Sequence, residues 1–355
     1  NSIRCNTLKI SPEELKERIN DIFLLDVRTD EEYRDWNIPQ AVHVPMQYVM
    51  QKANELPKDK EIVAICAHGN RSQMIAQFLS GMGFRVSSLQ GGMAAWNNVY
   101  DEAEIASGFQ VRRVGKGCVS YVIVSNGIAA VIDPSHHADE YIRLSEKHNF
   151  DIKHVLDTHQ HADHISGARL LAKAVNAKLY LNELDGYQKT DFIKLKDGDK
   201  IQVADTEIEA IHTPGHTKGS MTFLVNNQLL TGDTLFINGI ARPDLHNKTE
   251  EYAGDLFATY AEKIMSLSDK LSVMPGHFTS IKLDFGKAVS ATLKDVKKLP
   301  QLQLSRSEFV DYIKTHAPEK PPNYETIRKI NSGELEFYED EADDLEEGPN
   351  MCTVR

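Results

Sequence analysis

The chain has 355 residues, too many for one ordinary core, so two domains are expected. Hydrophobic residues make up 41% and charged residues 26%, ordinary globular values, and a formal net charge of -12 argues against nucleic acid or an anionic membrane as main partner. No apolar run approaches the roughly 20 residues that span a bilayer, and the N-terminal NSIRCNTLKISPEEL lacks a signal peptide's apolar core, so a cytoplasmic location is expected.

Residues 1 to 104 read as one α/β unit. Ile22-Phe23-Leu24-Leu25 is a short apolar run followed by the turn-like DVRTDEEY. Ile62-Val63-Ala64-Ile65 is a second run and ends at Cys66. Met74, Ile75, Phe78 and Leu79 then recur at helical spacing. Strands alternating with helices predict a parallel sheet covered on both faces. The small, polar YDEAEIASG at 100–108 reads as the linker.

Residues 105 to 355 follow a different pattern. Val119–Val124 and Ile128–Ile132 flank Ser125-Asn126-Gly127, and Asn-Gly between apolar runs predicts a hairpin. An apolar run then leads into VLDTHQHADH, and Ile165, Ala168, Ala172 and Val175 form a helical stripe. LYL at 179–181, IEAI at 208–211 and MTFLV at 221–225 are strands, and helices are expected over 250–268 and 284–298. The sum is an αββα sandwich with a C-terminal helical and acidic extension. Nine Asp or Glu lie between Glu334 and Glu347, which reads as a solvated tail or loop.

The four cysteines, Cys5, Cys66, Cys118 and Cys352, are too scattered for a disulfide framework and fit a reducing compartment. Cys66 is distinctive. In Cys66-Ala67-His68-Gly69-Asn70-Arg71-Ser72 it sits between a strand-like run and a helix start. Unpaired N–H groups and the positive end of the helix dipole favour the thiolate there, the form that attacks sulfur. Arg71 adds a positive charge, and His68, Gly69 and Asn70 supply the loop that would contact a substrate. Cys5, Cys118 and Cys352 have no such setting and read as structural or incidental.

THQHADH at 158–164 holds three histidines and an aspartate in seven positions. His159 and His161 are two apart and aim together only from an extended or turning backbone. Asp163 and His164 are expected at the start of the next helix. His216 in TPGHTKG, Asp233 in LTGDTLF and His277 in VMPGHF each follow a strand-like run and sit beside glycine. Neutral imidazoles and a carboxylate delivered by strand ends and loops are what a metal site requires. His43, His136, His137, His148, His154 and His316 match no such pattern and read as surface or satisfied core residues, His212 reads as structural, and His246 is left undecided.

These motifs carry two resemblances. THxHxDH followed by PGHT, TGD and PGH resembles the metallo-β-lactamase superfamily over about 110–285, which implies the αββα sandwich with metal at one edge. Cys-x-x-Gly-x-Arg, with LLDVRTDEEY before it and LQGGMAAW after it, resembles a rhodanese domain over most of 5–100. Its Cys-x4-Arg loop is one residue shorter than the related phosphatase loops, which favours sulfur transfer. Asp26 and Arg28 match that domain's DVR and read as structural.

Together the two halves resemble the persulfide dioxygenases, which oxidise a low-molecular-weight thiol persulfide with O2 to sulfite. The resemblance implies one Fe(II) held by His159, His216 and Asp233, with His161, Asp163, His164 and His277 around it or holding a second metal. It also implies sulfane-sulfur exchange with thiosulfate or sulfite at Cys66. INGIARPD at 237–244 is similar to that family's G-x-G-R-x-D, so Arg242 is expected either to bind a substrate carboxylate or to form a structural salt bridge. PNMC at 349–352 is similar to its Cys-bearing tail, and Thr279 stands where glutathione-using relatives carry Tyr. The alternative is a glyoxalase-II-like zinc thioesterase, in which all seven residues would be ligands. No nucleic-acid or membrane partner is expected, and a homo-oligomer is left open.

Overall fold

Four consecutive residues, Ile62–Ile65, are buried, as a central parallel strand requires. The computed structural model describes residues 8–245, 248–278 and 284–354; Cys5, His246 and Thr279 lie outside the described residues. The first unit holds strands β1 (Leu8–Ile10), β2 (Phe23–Asp26), β3 (Val42–His43), β4 (Ile62–Ile65) and β5 (Val86–Leu89). They pair in parallel in the order β1-β5-β4-β2-β3. Helices α1 (Pro12–Arg18), α2 (Asp30–Asp35), α3 (Met46–Lys52), α4 (Asn70–Gly81) and α5 (Gly92–Trp96) connect them. Alternate residues face opposite sides: Leu25, Ile62 and Ala64 meet Ile75 and Leu79 of α4. Leu24, Val63 and Ile65 meet Leu15 of α1 and Met93 of α5.

The second unit opens with β6 (Tyr100–Ile105), which pairs antiparallel with β7 (Gly108–Arg113). This corrects the linker reading of 100–108, and the 104/105 boundary falls inside a strand. Asp101 and Ala103 are buried while the residues between them are not, a period-2 pattern masked by acidic side chains. Next come β8 (Val119–Ser125), β9 (Ile128–Ile132), α6 (Ala138–His148), β10 (Asp151–Leu156), α7 (Ala168–Ala174), β11 (Lys178–Leu181) and β12 (Ile193–Lys194). Strands β6 to β12 form a seven-stranded sheet. The β8–β9 turn is the expected hairpin, with φ of 44° at Asn126 and 73° at Gly127.

The facing sheet holds β13 (Lys200–Val203), β14 (Thr206–His212), β15 (Met221–Val225) and β16 (Gln228–Gly232). A short hairpin follows, β17 (Leu235–Phe236) and β18 (Gly239–Ala241), then α8 (Thr249–Ala258). Strands β19 (Ser272–Pro275) and β20 (Ala291–Thr292) complete the sheet. Tyr121, Ile123, Ile132, Ile208, Phe223 and Leu230 fill the space between the sheets. Val131 and Val155 cover the outer face against α6 and α7, and Leu229 and Val273 that against α8. The expected αββα layering is therefore present. The helix expected over 284–298 is reduced to β20 and the one-turn α9 (Leu293–Val296).

The extension runs through α10 (Arg306–His316), α11 (Tyr324–Ser332) and α12 (Glu339–Leu345) to β21 (Thr353–Val354), which pairs with β18. It is not a solvated tail. Glu346 is fully buried, paired with Arg113, and accepts from the Ile165 amide. Such a buried charge persists because its partners satisfy it. The two units also touch through the Trp36 indole N–H, which donates to the Gly115 carbonyl at 2.8 Å. No helix among the described residues is long and apolar enough to cross a membrane.

Candidate metal centre and sulfur-carrying loop

Strand ends at one edge of the sandwich deliver the candidate ligands. His159, His161, Asp163 and His164 lie in the irregular segment between β10 and α7, not at the helix start, because α7 begins only at Ala168. His216 follows β14, Asp233 follows β16 and His277 follows β19. All seven are buried.

His159 Nε2 lies 3.8 Å and His216 Nε2 3.6 Å from Asp233 Oδ2. His159 Nε2 and Asp233 Oδ2 are buried and accept or donate no hydrogen bond. A buried polar group without a partner is costly, and a shared cation would relieve both. The opposite ring nitrogens are engaged. His216 Nδ1 donates to the Arg242 carbonyl at 2.7 Å, and His159 Nδ1 lies 2.9 Å from Thr158 Oγ1, which donates to Asp133 at 2.8 Å. Partners of this kind aim Nε2 at a metal. Burial and the neighbouring His161 push His159 well down, which keeps it neutral with its lone pair free. Burial would raise Asp233, but His277 holds it well below the usual carboxylate range. The three side chains fit a 2-His-1-carboxylate metal face.

A second group adjoins the first. Asp163 Oδ2 lies 2.9 Å from His277 Nε2, 3.1 Å from His164 Nδ1 and 3.3 Å from Cys118 Sγ. The Asn350 amide donates to the same oxygen at 2.9 Å. His277 Nδ1 lies 2.5 Å from Asp233 Oδ1, so this imidazole spans both groups. His161 faces Asp133 at 3.2 Å instead. Cys118, Asp163, His164 and His277 could jointly hold an ion, and Cys352 stands within ligand distance of Asp233 and His277. Both cysteines therefore stand in structural settings beside the candidate centre. The neighbours of Cys118 arrive from residues far away in sequence, so no local motif marks it.

Asp133, Thr158 and Asn350 were also missed. Asp133 carries a signal, an Asp at a strand end before Pro134, with a φ of 52° that non-glycine residues rarely adopt. Gly232 shows why the TGD turn needs glycine: its φ is +49° and a β-carbon would come within 2.5 Å of Thr158 Oγ1.

The substrate-contact expectation for Arg242 is corrected. Its guanidinium is buried and forms a bidentate pair with Asp244 at 2.8 Å. The remaining N–H groups donate to the carbonyls of Pro318, Glu319 and Met351. All five donors are engaged and none is left for a substrate. Arg242 serves the centre through its own carbonyl, which fixes His216.

In the first unit the thiol of Cys66 sits at the foot of α4. The Gly69 amide donates to Sγ at 3.1 Å, and Ser72 Oγ lies 3.3 Å away. Burial pushes the thiol up, but donation from Ser72, Gly69 and His68 outweighs it and lowers the thiol overall. Arg71 interacts with Cys66 and also pairs bidentately with Glu32 at 2.5 and 2.8 Å, holding the Glu32 carboxyl down to about 2. Gly92, at φ +62°, backs the loop, since a β-carbon there would collide with the Cys66 carbonyl. His68 and Asn70 are exposed at the loop's mouth, and His68 Nε2 lies 3.6 Å from Glu347 of the second unit. Removing the Ser72 donor disfavours the thiolate, so the titration midpoint of Cys66 should rise in Ser72→Ala. Alkylation by iodoacetamide at pH 7 should slow several-fold and recover at high pH; an unshifted profile would show that Ser72 does not tune the thiol.

A cavity of about 950 Å³ lies between the two units. Trp36, Ile38 and Trp96 line it from the first, and Asp163, Phe278 and Asn350 from the second. It reaches the metal centre at Asp163, and no sequence motif pointed to it.

A rhodanese-like domain model matches residues 11–99, and a metallo-beta-lactamase superfamily model matches residues 113–277. The chain is similar to the putative sulfurtransferase YtwF of Bacillus subtilis, 44% identical over 91 residues, 25% of this chain and 88% of that protein. It is similar to the mitochondrial persulfide dioxygenase ETHE1 of Bos taurus, 32% identical over 187 residues, 51% of this chain and 69% of that one. It is similar too to the cytoplasmic hydroxyacylglutathione hydrolase of Arabidopsis thaliana, 35% identical over 182 residues, 48% of this chain and 67% of that one.

Proposed function

We propose that this chain, which belongs to the metallo-beta-lactamase superfamily and carries a rhodanese-like domain ahead of that unit, oxidises a low-molecular-weight thiol persulfide and relays sulfane sulfur through Cys66. The overall reaction is RSSH + O2 + H2O → RSH + SO3²⁻ + 2H⁺. One observation carries this reading: a buried His159–His216–Asp233 face, with His159 Nε2 and Asp233 Oδ2 lacking hydrogen-bond partners, shares a chain with a cysteine thiol cradled by loop donors. Fe(II) on that face would supply the stepwise reduction of O2, which redox-inert Zn²⁺ does not.

The chain's own residues do the remaining work. His277, between Asp233 and Asp163, is held well above the usual imidazole range: burial opposes its charge, but the two carboxylates outweigh burial. It bridges the two carboxylates and so fixes the orientation of Asp233. The cavity beside Asp163 is roomy enough for a small thiol: Trp36, Trp96 and Phe278 supply apolar surface, and Arg34 and Lys116 supply positive charge.

A second reading has its own support. The Cys118–Asp163–His164–His277 group offers a place for another ion, as a di-zinc thioesterase requires, and the hydroxyacylglutathione hydrolase is 35% identical. Metal content and O2 uptake separate the two. The purified chain, given glutathione persulfide or cysteine persulfide, should contain iron and consume O2 as sulfite appears. Two zinc ions per chain, hydrolysis of a glutathione thioester and no O2 consumption would assign the second reading instead.

A further inference from the structure

His136 and His137, two histidines that match no motif, meet Asp343 of α12 outside the metal centre. Each imidazole places Nε2 3.2 Å from the same oxygen, Asp343 Oδ1. Ligands about 2.0–2.1 Å from a tetrahedral zinc lie about 3.3 Å apart, so the spacing is that of atoms sharing one ion. Asp343 Oδ1 and His136 Nε2 are buried atoms that make no hydrogen bond of good geometry, with each other or with another group among the described residues. The His136 side chain is only 2% exposed, so this orphaned nitrogen is aimed into the cluster without water to satisfy it.

The far sides of both rings are fixed. His136 Nδ1 lies 3.1 Å from Glu346 Oε1, and Glu346 is held in turn by Arg113 and the Ile165 amide. His137 Nδ1 lies 2.9 Å from Tyr100 Oη, which is 2.5 Å from Ser135 Oγ. With Nδ1 as the donor in each ring, both Nε2 lone pairs converge on the Asp343 oxygen, the arrangement by which carboxylates and hydroxyls orient metal-binding histidines. His137 is 27% and Asp343 41% exposed, so the cluster has one buried wall and one open side for an ion and its water. Asp343 also lies in the acidic stretch 334–347, whose charge draws cations.

We infer that His136, His137 and Asp343 form a binding site for a divalent transition metal, Zn²⁺ foremost, that clamps the C-terminal extension onto the sandwich. Two imidazoles and one carboxylate with room for water suit zinc at four-coordination. The clamp has a consequence for the centre. The same extension carries Asn350, bonded to Asp163, and Cys352, beside Asp233. Its anchoring holds those two residues in place.

The test is zinc stoichiometry on the full chain. Wild type, His137→Ala and Asp343→Asn are equilibrated with Zn²⁺, freed of loose metal by gel filtration and assayed by mass spectrometry. Wild type should carry one more zinc per chain than either variant. The same difference of one should persist in an H216A background, where the other centre is disabled. Zinc content equal in wild type and both variants overturns the inference and leaves the cluster an ion pair of protonated histidines with Asp343. Melting separates lost metal from lost fold: in the H216A background, Zn²⁺ should raise Tm more in the parent than in the same chain carrying H137A or D343N. A rise of equal size in H137A and D343N would likewise overturn it.

Discussion

Asp233→Ala should yield a chain that holds no iron and no longer consumes O2 with a persulfide, while sulfur transfer at Cys66 continues. Asp233 Oδ2 is the point on which His159 and His216 converge, and among the described residues it is the carboxylate grouped with both. Loss of a residue that only orients a ligand typically weakens metal binding about 10–100-fold, so loss of the anionic ligand itself should exceed about 100-fold. The alanine also strips His277 of its 2.5 Å partner and leaves a buried ring nitrogen unsatisfied. Asp233→Asn is the control for that effect, because it keeps an oxygen for His277 and removes the charge. Iron by mass spectrometry and O2 by electrode decide the matter. Iron retained at wild-type level in both variants would overturn the ligand assignment, and rhodanese activity lost in both would overturn the independence of the two units.

The residues aligned with this argument were legible because the chemistry is local. Each candidate ligand stands at a strand end beside glycine or within the seven-residue histidine segment, and the cysteine loop announces itself by Cys-x4-Arg. What escaped the sequence is non-local. Cys118 gains its meaning from residues 163, 164 and 277, and Glu346 from Arg113 more than two hundred positions earlier. An acidic run reads as solvated until those partners are known. Arg242 failed as a substrate contact for the same reason: three of its acceptors are carbonyls at 318, 319 and 351. The edge strand β6 was hidden by its own glutamates. The inter-unit cavity needs tryptophans from one unit and Asp163 from the other, so no single-unit motif predicts it.

That cavity bears on how the two chemistries are joined, and Cys66→Ser tests it. The substitution replaces sulfur by oxygen at nearly constant shape, keeps the Gly69 and Ser72 contacts, and removes the nucleophile. Sulfur transfer from thiosulfate should fall by roughly 10³-fold or more. O2 uptake with a persulfide supplied in solution should stay near wild type, because Cys66 is buried in its own cradle. Among the described residues the loop meets the second unit at the exposed His68–Glu347 pair, of a kind worth about 0–1 kcal/mol. The product then reports the direction of flow. If Cys66 combines sulfite with a second persulfide, the variant should accumulate sulfite where wild type makes thiosulfate. If Cys66 instead draws sulfur from thiosulfate to a thiol, the variant should lose thiosulfate-driven O2 uptake alone. Collapse of O2 uptake on supplied persulfide, with iron content unchanged, would mean that the cysteine loop completes the oxidising site across the cavity rather than working beside it.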